Sequence, residues 1–431
     1  MSAPFHVAIV GGGLSGLALA ISLTNHSIPY TIYEARASFS EYLGAGINLG
    51  PNSVRTLEMI DESLGETVRS LCSRNKSAAK ENVWMRMRFG CPTNRHQDAE
   101  LITDLVTPHS GNSTLGRNEL LQAMASKAGL EHAKFNKKLT KIQNNENDVT
   151  IHFADGTVDS ASVVVACDGV HSNVRKAILE PGDPAAVPHY VKHGGYRGVV
   201  DMAAVEQILG DDIAHNSNIF VGPGAYVIIY PMKNGEQVNV GLWIGRTDLW
   251  SDQSNWILPS QGDEMRSQFS AWGEKMHRLM NLLESPPFFA AFSHTIQPQS
   301  FVKQRIVLLG DACHSATPHQ GAGAGQGAED AFVMGEVLEK LKNLCPNPST
   351  TQIEVALKAY EAVRRPRFER VAETSLEAFT FWTEFYRPDL TDEDVRVFGE
   401  KAKTRFAWIW DHDLAADAER ARSMLAETMK M

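Results

Sequence analysis

The sequence has few cysteines, no run of basic residues and no long apolar stretch free of glycine, and each lack narrows what the chain can be. Its 5 cysteines in 431 residues, Cys72, Cys91, Cys167, Cys313 and Cys345, are scattered and odd in number, with no C-x-x-C pair. That spacing argues against a disulfide framework and a zinc site and for a reducing compartment, so a cytoplasmic protein is expected. Histidines and carboxylates show no metal-ligand spacing either, and no metal is expected. Lys and Arg number 41 against 51 Asp and Glu, a formal net charge of −10, which offers nothing to grip nucleic acid or an anionic membrane. The one long uncharged stretch near the start, Val7 to Leu23, holds Gly11, Gly12, Gly13 and Gly16 and follows no basic segment, so it reads as neither signal peptide nor membrane span. Internal repeats and low-complexity linkers are lacking as well.

What is present is enough apolar residue, 43%, for a large core, with 21% charged residues, in a length of about three average domains. The apolar run Phe5–Val10, the glycine-rich turn after it, the helical stretch Leu17–Asn25 and a second apolar run, Tyr30–Tyr33, make a βαβ unit ending in Glu34. Residues 51–70 have helical spacing with Pro51 at the start, and helical spacing returns over Arg117–Ala128. Alternation around Val83–Met87 predicts strands. Val149–Phe153 followed by Asp155-Gly156 predicts a hairpin, and Ser162–Ala166 predicts a strand buried on both faces. Strand-like segments dominate 185–300, the βα style resumes at Ile306–Leu309, and the last hundred residues are mostly helical. The expected plan is α/β: a Rossmann-like dinucleotide domain (1–75, 111–182 and 301–365), an inserted β-rich domain (76–110 and 183–300) and a helical C-terminal region (366–431).

Two stretches carry chemistry. In Gly11-x-Gly13-x-x-Gly16 the glycines admit a pyrophosphate to backbone N–H groups at a helix N-terminus. Glu34, eighteen residues past Gly16, can accept a ribose hydroxyl. Against a merely tight turn, this placement between strand and helix is specific, though it does not separate NAD from FAD. The second stretch runs from Arg305 through Gly310-Asp311 to Pro318-His319-Gln320-Gly321-Ala322-Gly323-Ala324-Gly325-Gln326-Gly327 and then Glu329-Asp330. A strand delivers Asp311 to where it could hold a sugar-like hydroxyl. Four alternate glycines cost a helix roughly 1 kcal/mol each relative to alanine, so they are expected to lie as bare backbone against a flat ring rather than to serve packing.

These motifs, with Cys167-Asp168-Gly169 leading to Ser172-x-x-Arg175, resemble in order and spacing the class A flavoprotein aromatic hydroxylases, the salicylate and para-hydroxybenzoate hydroxylase group. The likeness covers nearly the whole chain and reaches the tail, where Trp408-x-Trp410-Asp411-His412-Asp413 is similar to the end of salicylate hydroxylases. The resemblance implies FAD contacts from Gly11, Gly13, Gly16, Glu34, Ala45 or Gly46, Arg117, Asp311, Gly323 and Ala324, and a cofactor role for Asp168. It also implies that NADH or NADPH visits the flavin transiently, in keeping with the lack of a second GxGxxG.

In such a family a flavin hydroperoxide delivers OH to an electron-rich ring. That chemistry calls for an ionised phenol, a group to stabilise it, a proton acceptor and a dry pocket. Arg197 in Gly195-Tyr196-Arg197-Gly198 could hold a phenolate or carboxylate, with an ion pair at a domain boundary as its bland alternative. Tyr226, Ile228 and Tyr230 share one strand face, and Tyr230 is read as a substrate contact against a core tyrosine. His319, just before the glycine loop, is read as a base or substrate contact that titrates in the working range; His314 is read as packing the turn after Asp311. The expected partners are a small phenolic or salicylate-like aromatic and O2, acting on a monomer or homodimer. A polyketide-tailoring dearomatising hydroxylase, a non-hydroxylating FAD oxidase or reductase, and a non-catalytic nucleotide-binding module are the alternatives.

Overall fold

The computed structural model describes residues 5–39, 46–107, 111–250, 252 and 255–430. Val7–Val10 is buried at all four positions and pairs in parallel with Tyr30–Tyr33 on one side and Val163–Ala166 on the other. Val163–Ala166 pairs in parallel with Ile306–Leu308, so the first, middle and last thirds of the chain meet in one six-stranded sheet. Continuous apolar runs suit such strands because helices cover both faces. The Leu14–Asn25 helix buries Gly16 to Leu23 without a break, held between the sheet and the Gly323–Leu344 helix.

The inserted domain is an eight-stranded, mostly antiparallel sheet ordered Ile257–Leu258, Phe288–Ser293, His189–Asp201, Gln237–Gly245, Ala225–Met232, Asn218–Gly222, Val83–Phe89 and Leu101–Val106. The period of two sorts its faces. Val227, Ile229, Val238, Val240 and Leu242 enter a core with Met265, Phe269, Met276 and Leu279. Tyr226, Ile228, Tyr230 and Trp243 face the other way, towards Ala322, Trp382, Phe406 and Trp410. The predicted hairpin forms between Val149–Phe153 and Val158–Ala161, with Gly156 at φ +82°.

Two expectations are corrected. The helical stretch 51–70 is two helices, Pro51–Ile60 and Glu62–Leu71, because Asp61 leaves helical geometry and its carboxylate caps the second by accepting from Leu64 N at 2.8 Å. The boundary at 365/366 falls inside the continuous helix Thr350–Thr383. The tail is likewise no separate body: Leu414, Ala418, Ala421 and Leu425 are buried in the dinucleotide domain's own core. No helix among the described residues is long and apolar enough to cross a membrane.

Candidate active site

The first glycine turn divides its labour. Gly11 sits at φ +103°, and a Cβ there would lie 2.3 Å from the Cys167 carbonyl oxygen. A Cβ on Gly16 would lie 2.0 Å from the Gly11 carbonyl oxygen, so strand and helix meet only because both are glycine. Gly13 differs: nothing lies within 4 Å of its Cβ position, which leaves the helix N-terminus open to a ligand. Glu34 is buried beside it, accepting from Gly12 N at 2.8 Å and Arg36 N at 2.9 Å. Those two bonds fix its carboxylate and leave further lone pairs for a hydroxyl.

The second turn departs from expectation. Gly325 and Gly327 lie inside the Gly323–Leu344 helix, where a Cβ would meet Ser53 Oγ at 2.0 Å and Ser15 Oγ at 2.1 Å respectively. They are packing glycines after all. Each lets this helix press against another, and Gly335 does the same against Ser22 Oγ at 2.0 Å. Only Gly323, with nothing within 4 Å, leaves backbone uncovered for a ligand, with the half-buried Ala324 beside it; Gly321, at φ +62°, already meets Asn48 O and the Trp84 ring at 3.7 Å.

Asp311 is exposed at the end of Ile306–Leu308, and its carboxylate makes no hydrogen bond among the described residues. Its turn is built from behind. Gly310 N donates to Asp330 Oδ2 at 3.0 Å, and His314 also binds Asp330. Arg175 donates to the Ala312 and Cys313 carbonyls at the back of the same turn. Burial lowers the Arg175 guanidinium to about 10. Asp168, half-buried, holds the helix that carries Arg175 by accepting from Ser172 Oγ at 2.5 Å and Asn173 N at 2.8 Å. Burial raises the Asp168 carboxyl, against the pull of those bonds. Asp168 and Arg175 thus act on the Asp311 turn through helix geometry.

Glu329 and Asp330 gave the sequence reading no role, yet they anchor the site. Both are fully buried with Arg364 and Arg367 from the Thr350–Thr383 helix. Arg367 grips Glu329 with two bonds of 2.8 Å and donates to the Ile409 carbonyl at 2.9 Å, while Asn52 donates to Glu329 at 2.8 Å. Burial alone would raise the Glu329 carboxyl; Arg367 and Arg364 outweigh it and hold it at about 2. Removing one member of such a network strands a buried charge. The signal was present as four charged residues at helical spacings, but spacing alone cannot show that they face inward.

Gly46–Leu49 pairs with Ser113–Gly116, which places Gly46 opposite Gly116 and next to Arg117 at the start of the following helix. Ala45 lies outside the described residues. Tyr230 OH donates to the Gly46 carbonyl at 2.8 Å and Arg197 reaches the same oxygen at 3.4 Å, so the structure brings these two predicted residues together at the domain seam. Burial pushes the Tyr230 hydroxyl up to about 12, with Arg197 opposing. Asn48, two residues on, has both side-chain polar atoms buried without a partner, next to the Gly321 position.

His319 is not at the open end of this group. It is 4% exposed, held between Tyr226 OH and His193 Nε2, each at 2.7 Å, with the Trp243 ring edge-on. Burial and then His193 drive its imidazole well below 6.5, and burial takes His193 to about 4. A histidine titrating in the working range is therefore corrected to a neutral one, because a buried imidazolium beside a second imidazole lacks both solvent and a counter-charge. Sequence reasoning missed His193, on a strand 126 residues away. His314 packs as expected, stacked on Phe368 with ring centroids 4.3 Å apart. Glu206, Asp211 and His215 gather at the surface within 4.8 Å, but Asp211 is paired with Lys76 and nothing else marks a cation site.

An FAD-sized dinucleotide fits these groups: an open helix N-terminus at Gly13, a buried carboxylate at Glu34, a free one at Asp311, uncovered backbone at Gly323, and the orphaned Asn48 amide. Residues 5–375 match the family model described as "FAD binding domain". Over 430 residues the chain is 31% identical to a salicylate hydroxylase of Pseudomonas putida, covering 97% of this chain and 95% of that protein. It is 32% identical over 429 residues to a 6-methylsalicylate 1-monooxygenase of Aspergillus terreus, covering 98% and 93%. The solved structure of a salicylate hydroxylase substrate complex matches with TM-score 0.82 and 28% identity over 97% of this chain and 98% of that one. CtdE in complex with FAD and substrate shares the fold, with TM-score 0.80 and 20% identity over 99% of this chain and 100% of that one.

Proposed function

The chain belongs to the FAD binding domain family, and from that premise we propose that it is an FAD-dependent monooxygenase hydroxylating a phenolic, salicylate-like aromatic with NADH or NADPH and O2. The observation that carries the reading is the meeting of Arg197 and Tyr230 at the Gly46 carbonyl, where the substrate sheet abuts the dinucleotide domain. When bound and reduced by the nicotinamide, FAD would activate O2, one oxygen atom of which would pass to the ring while the other leaves as water. Gly13 at the open helix N-terminus, with Glu34, would hold its adenosine diphosphate, Gly11 and Gly16 closing the turn that presents them; Asp311, Arg117, Gly46, Gly323 and Ala324 would hold the rest.

This chain's residues then prepare the ring. Arg197 places a fixed positive charge beside the substrate anion, which favours an ionised phenol and draws a carboxylate into register. Tyr230, spent as a donor on Gly46, presents oxygen lone pairs to an incoming hydroxyl. His319 stays neutral and holds Tyr226 and the Pro318–Gly321 turn in place. The apolar side chains around them keep water out. The five free cysteines support a reducing, cytoplasmic setting, and a monomer or homodimer completes the reading.

The test is a panel of phenols scored for stimulated NADH oxidation, peroxide release and product mass. A hydroxylated product with a salicylate-like phenol is expected. Arg197→Ala should raise KM about tenfold or more and increase peroxide, as a charged contact is lost; Tyr230→Phe should keep binding and lose hydroxylation. Peroxide as the sole oxygen product with every phenol would make the protein an oxidase instead.

A further inference from the structure

We propose that the Trp408–Asp413 segment of the tail is a clasp that sets the backbone of the cofactor site from behind, with Trp410 and Arg55 as its positioning residues. This rests on the monooxygenase reading above and extends it to side chains that touch neither substrate nor cofactor. The segment follows the Asp392–Thr404 helix and precedes the last helix, Leu414–Thr428, and the chemistry described so far gives it no part.

The segment is gripped by its backbone. Ala407–Trp410 is a single helical turn, and the carbonyls at the end of so short a helix find no partner within it. Arginines take them instead. Arg367 donates to Trp408 O at 3.2 Å and to Ile409 O at 2.9 Å. Arg55, from the Pro51–Ile60 helix, donates to Trp410 O at 2.7 Å and to His412 O at 3.2 Å. Beyond them His412 Nε2 pairs with Asp417 Oδ2 at 2.7 Å, and Asp413 caps the last helix by accepting from Ala416 N at 3.0 Å. The clasp is therefore tied at both ends, to the buried Glu329 network through Arg367 and to the dinucleotide core through the last helix.

Between those ties lies Trp410, 3% exposed, stacked on Phe406 with ring centroids 5.3 Å apart and tilted against Trp84 at 5.4 Å. Its Nε1 comes within 3.3 Å of the Cβ position of Gly50, closer than ordinary van der Waals contact. Gly50 follows the Gly46–Leu49 strand and caps the helix that carries Arg55, so the indole backs that strand at its end. Trp84 in turn lies 3.7 Å from the Cβ position of Gly321, where the Asn48 carbonyl also stands at 3.7 Å. Two indoles in contact thus support two pieces of backbone. One is the strand that offers the Gly46 carbonyl to Tyr230 and Arg197; the other is the turn that leads to Gly323. A close-packed interior passes a displacement on rather than absorbing it, so a tail that shifts moves the strand.

The experiment measures the FAD dissociation constant by flavin fluorescence on dilution of the FAD-loaded protein, together with the flavin absorption spectrum, peroxide released per NADH consumed, and melting temperature. Trp410→Ala should weaken FAD about tenfold or more and shift the flavin spectrum, and Trp410→Phe, which keeps the stack, should restore most of both. Arg55→Met loses two charge-assisted bonds and should weaken FAD about threefold or more with a larger peroxide fraction. Leu425→Ala is the control, because Leu425 is fully buried in the same tail but packs in the dinucleotide core. It should lower the melting temperature further than Arg55→Met and keep wild-type FAD affinity and spectrum. Unchanged FAD affinity and spectrum in Arg55→Met, or an FAD affinity that falls with melting temperature in Leu425→Ala as well, would overturn the clasp alone. A wild type that takes up no FAD would overturn the monooxygenase reading and the clasp with it.

Discussion

The two glycine-rich turns look alike on paper and are built to different ends. In the first, Gly11 and Gly16 close a strand onto a helix and Gly13 alone stands open. In the second, Gly325 and Gly327 close one helix onto two others, Gly321 makes the left-handed turn, and Gly323 stands open. The turns also interlock, since Ser15 of the first meets both Gly310 and Gly327 of the second. A glycine run near a ligand is thus a mixture of contact positions and packing positions, and only the neighbour at each Cβ tells which is which. The Pro318–Gln320 segment is moreover pinned to the substrate sheet through His319, whereas the first turn has no such tie among the described residues.

The sharpest break in that comparison is Gly16→Ala against Gly13→Ala. The first places a methyl 2.0 Å from backbone oxygen, which cannot move aside, so a loss of about 3 kcal/mol or more, or no folded protein, is expected. Gly13→Ala should melt like wild type and purify with little FAD, because its Cβ meets only ligand. Thermal unfolding and flavin absorbance read both. A Gly13→Ala protein with full FAD would mean that the turn does not bind the pyrophosphate.

Within the second turn the contrast is smaller. Gly327→Ala should cost about 1–3 kcal/mol through overpacking on Ser15, and Ser15→Ala in the same chain should recover most of it. Gly323→Ala should hold or gain up to about 1 kcal/mol by helix propensity while weakening FAD binding. A double mutant no more stable than Gly327→Ala would disprove the packing role.

The histidine tie is read in the pH dependence of stability. His193, at about 4, and His319, well below 6.5, are neutral in the folded protein, so the unfolded chain binds protons more readily. Stability is full above about 6.5 and is lost as pH falls towards about 4, by about 1.4 kcal/mol per pH unit for each such group. His294, taken to about 2 by burial and then Arg175, adds to the slope. His193→Phe, which can keep the stack on Phe379, should flatten the acid slope by one group's share in denaturant titrations at pH 4.5 to 6.5. An unchanged slope would show that His193 is already charged when folded.

The sequence by itself determined what depends on neighbours along the chain. The strand–turn–helix of residues 5–34, the alternation that puts Tyr226, Ile228 and Tyr230 on one face, the Asp155-Gly156 hairpin and the delivery of Asp311 by a strand all follow from local periodicity and turn chemistry, and family resemblance brought Arg197 and Tyr230 together as substrate contacts. Tertiary structure decided what depends on residues far apart in the chain. Gly325 and Gly327 face Ser53 and Ser15, more than 270 positions away; His319 meets His193 and loses its charge; Glu329 and Asp330 face inward to Arg364 and Arg367; and Trp410 comes to lie behind Gly50. The physical reason is that burial, pKa and the space at a missing Cβ are properties of surroundings, and surroundings exist only once the chain has closed on itself.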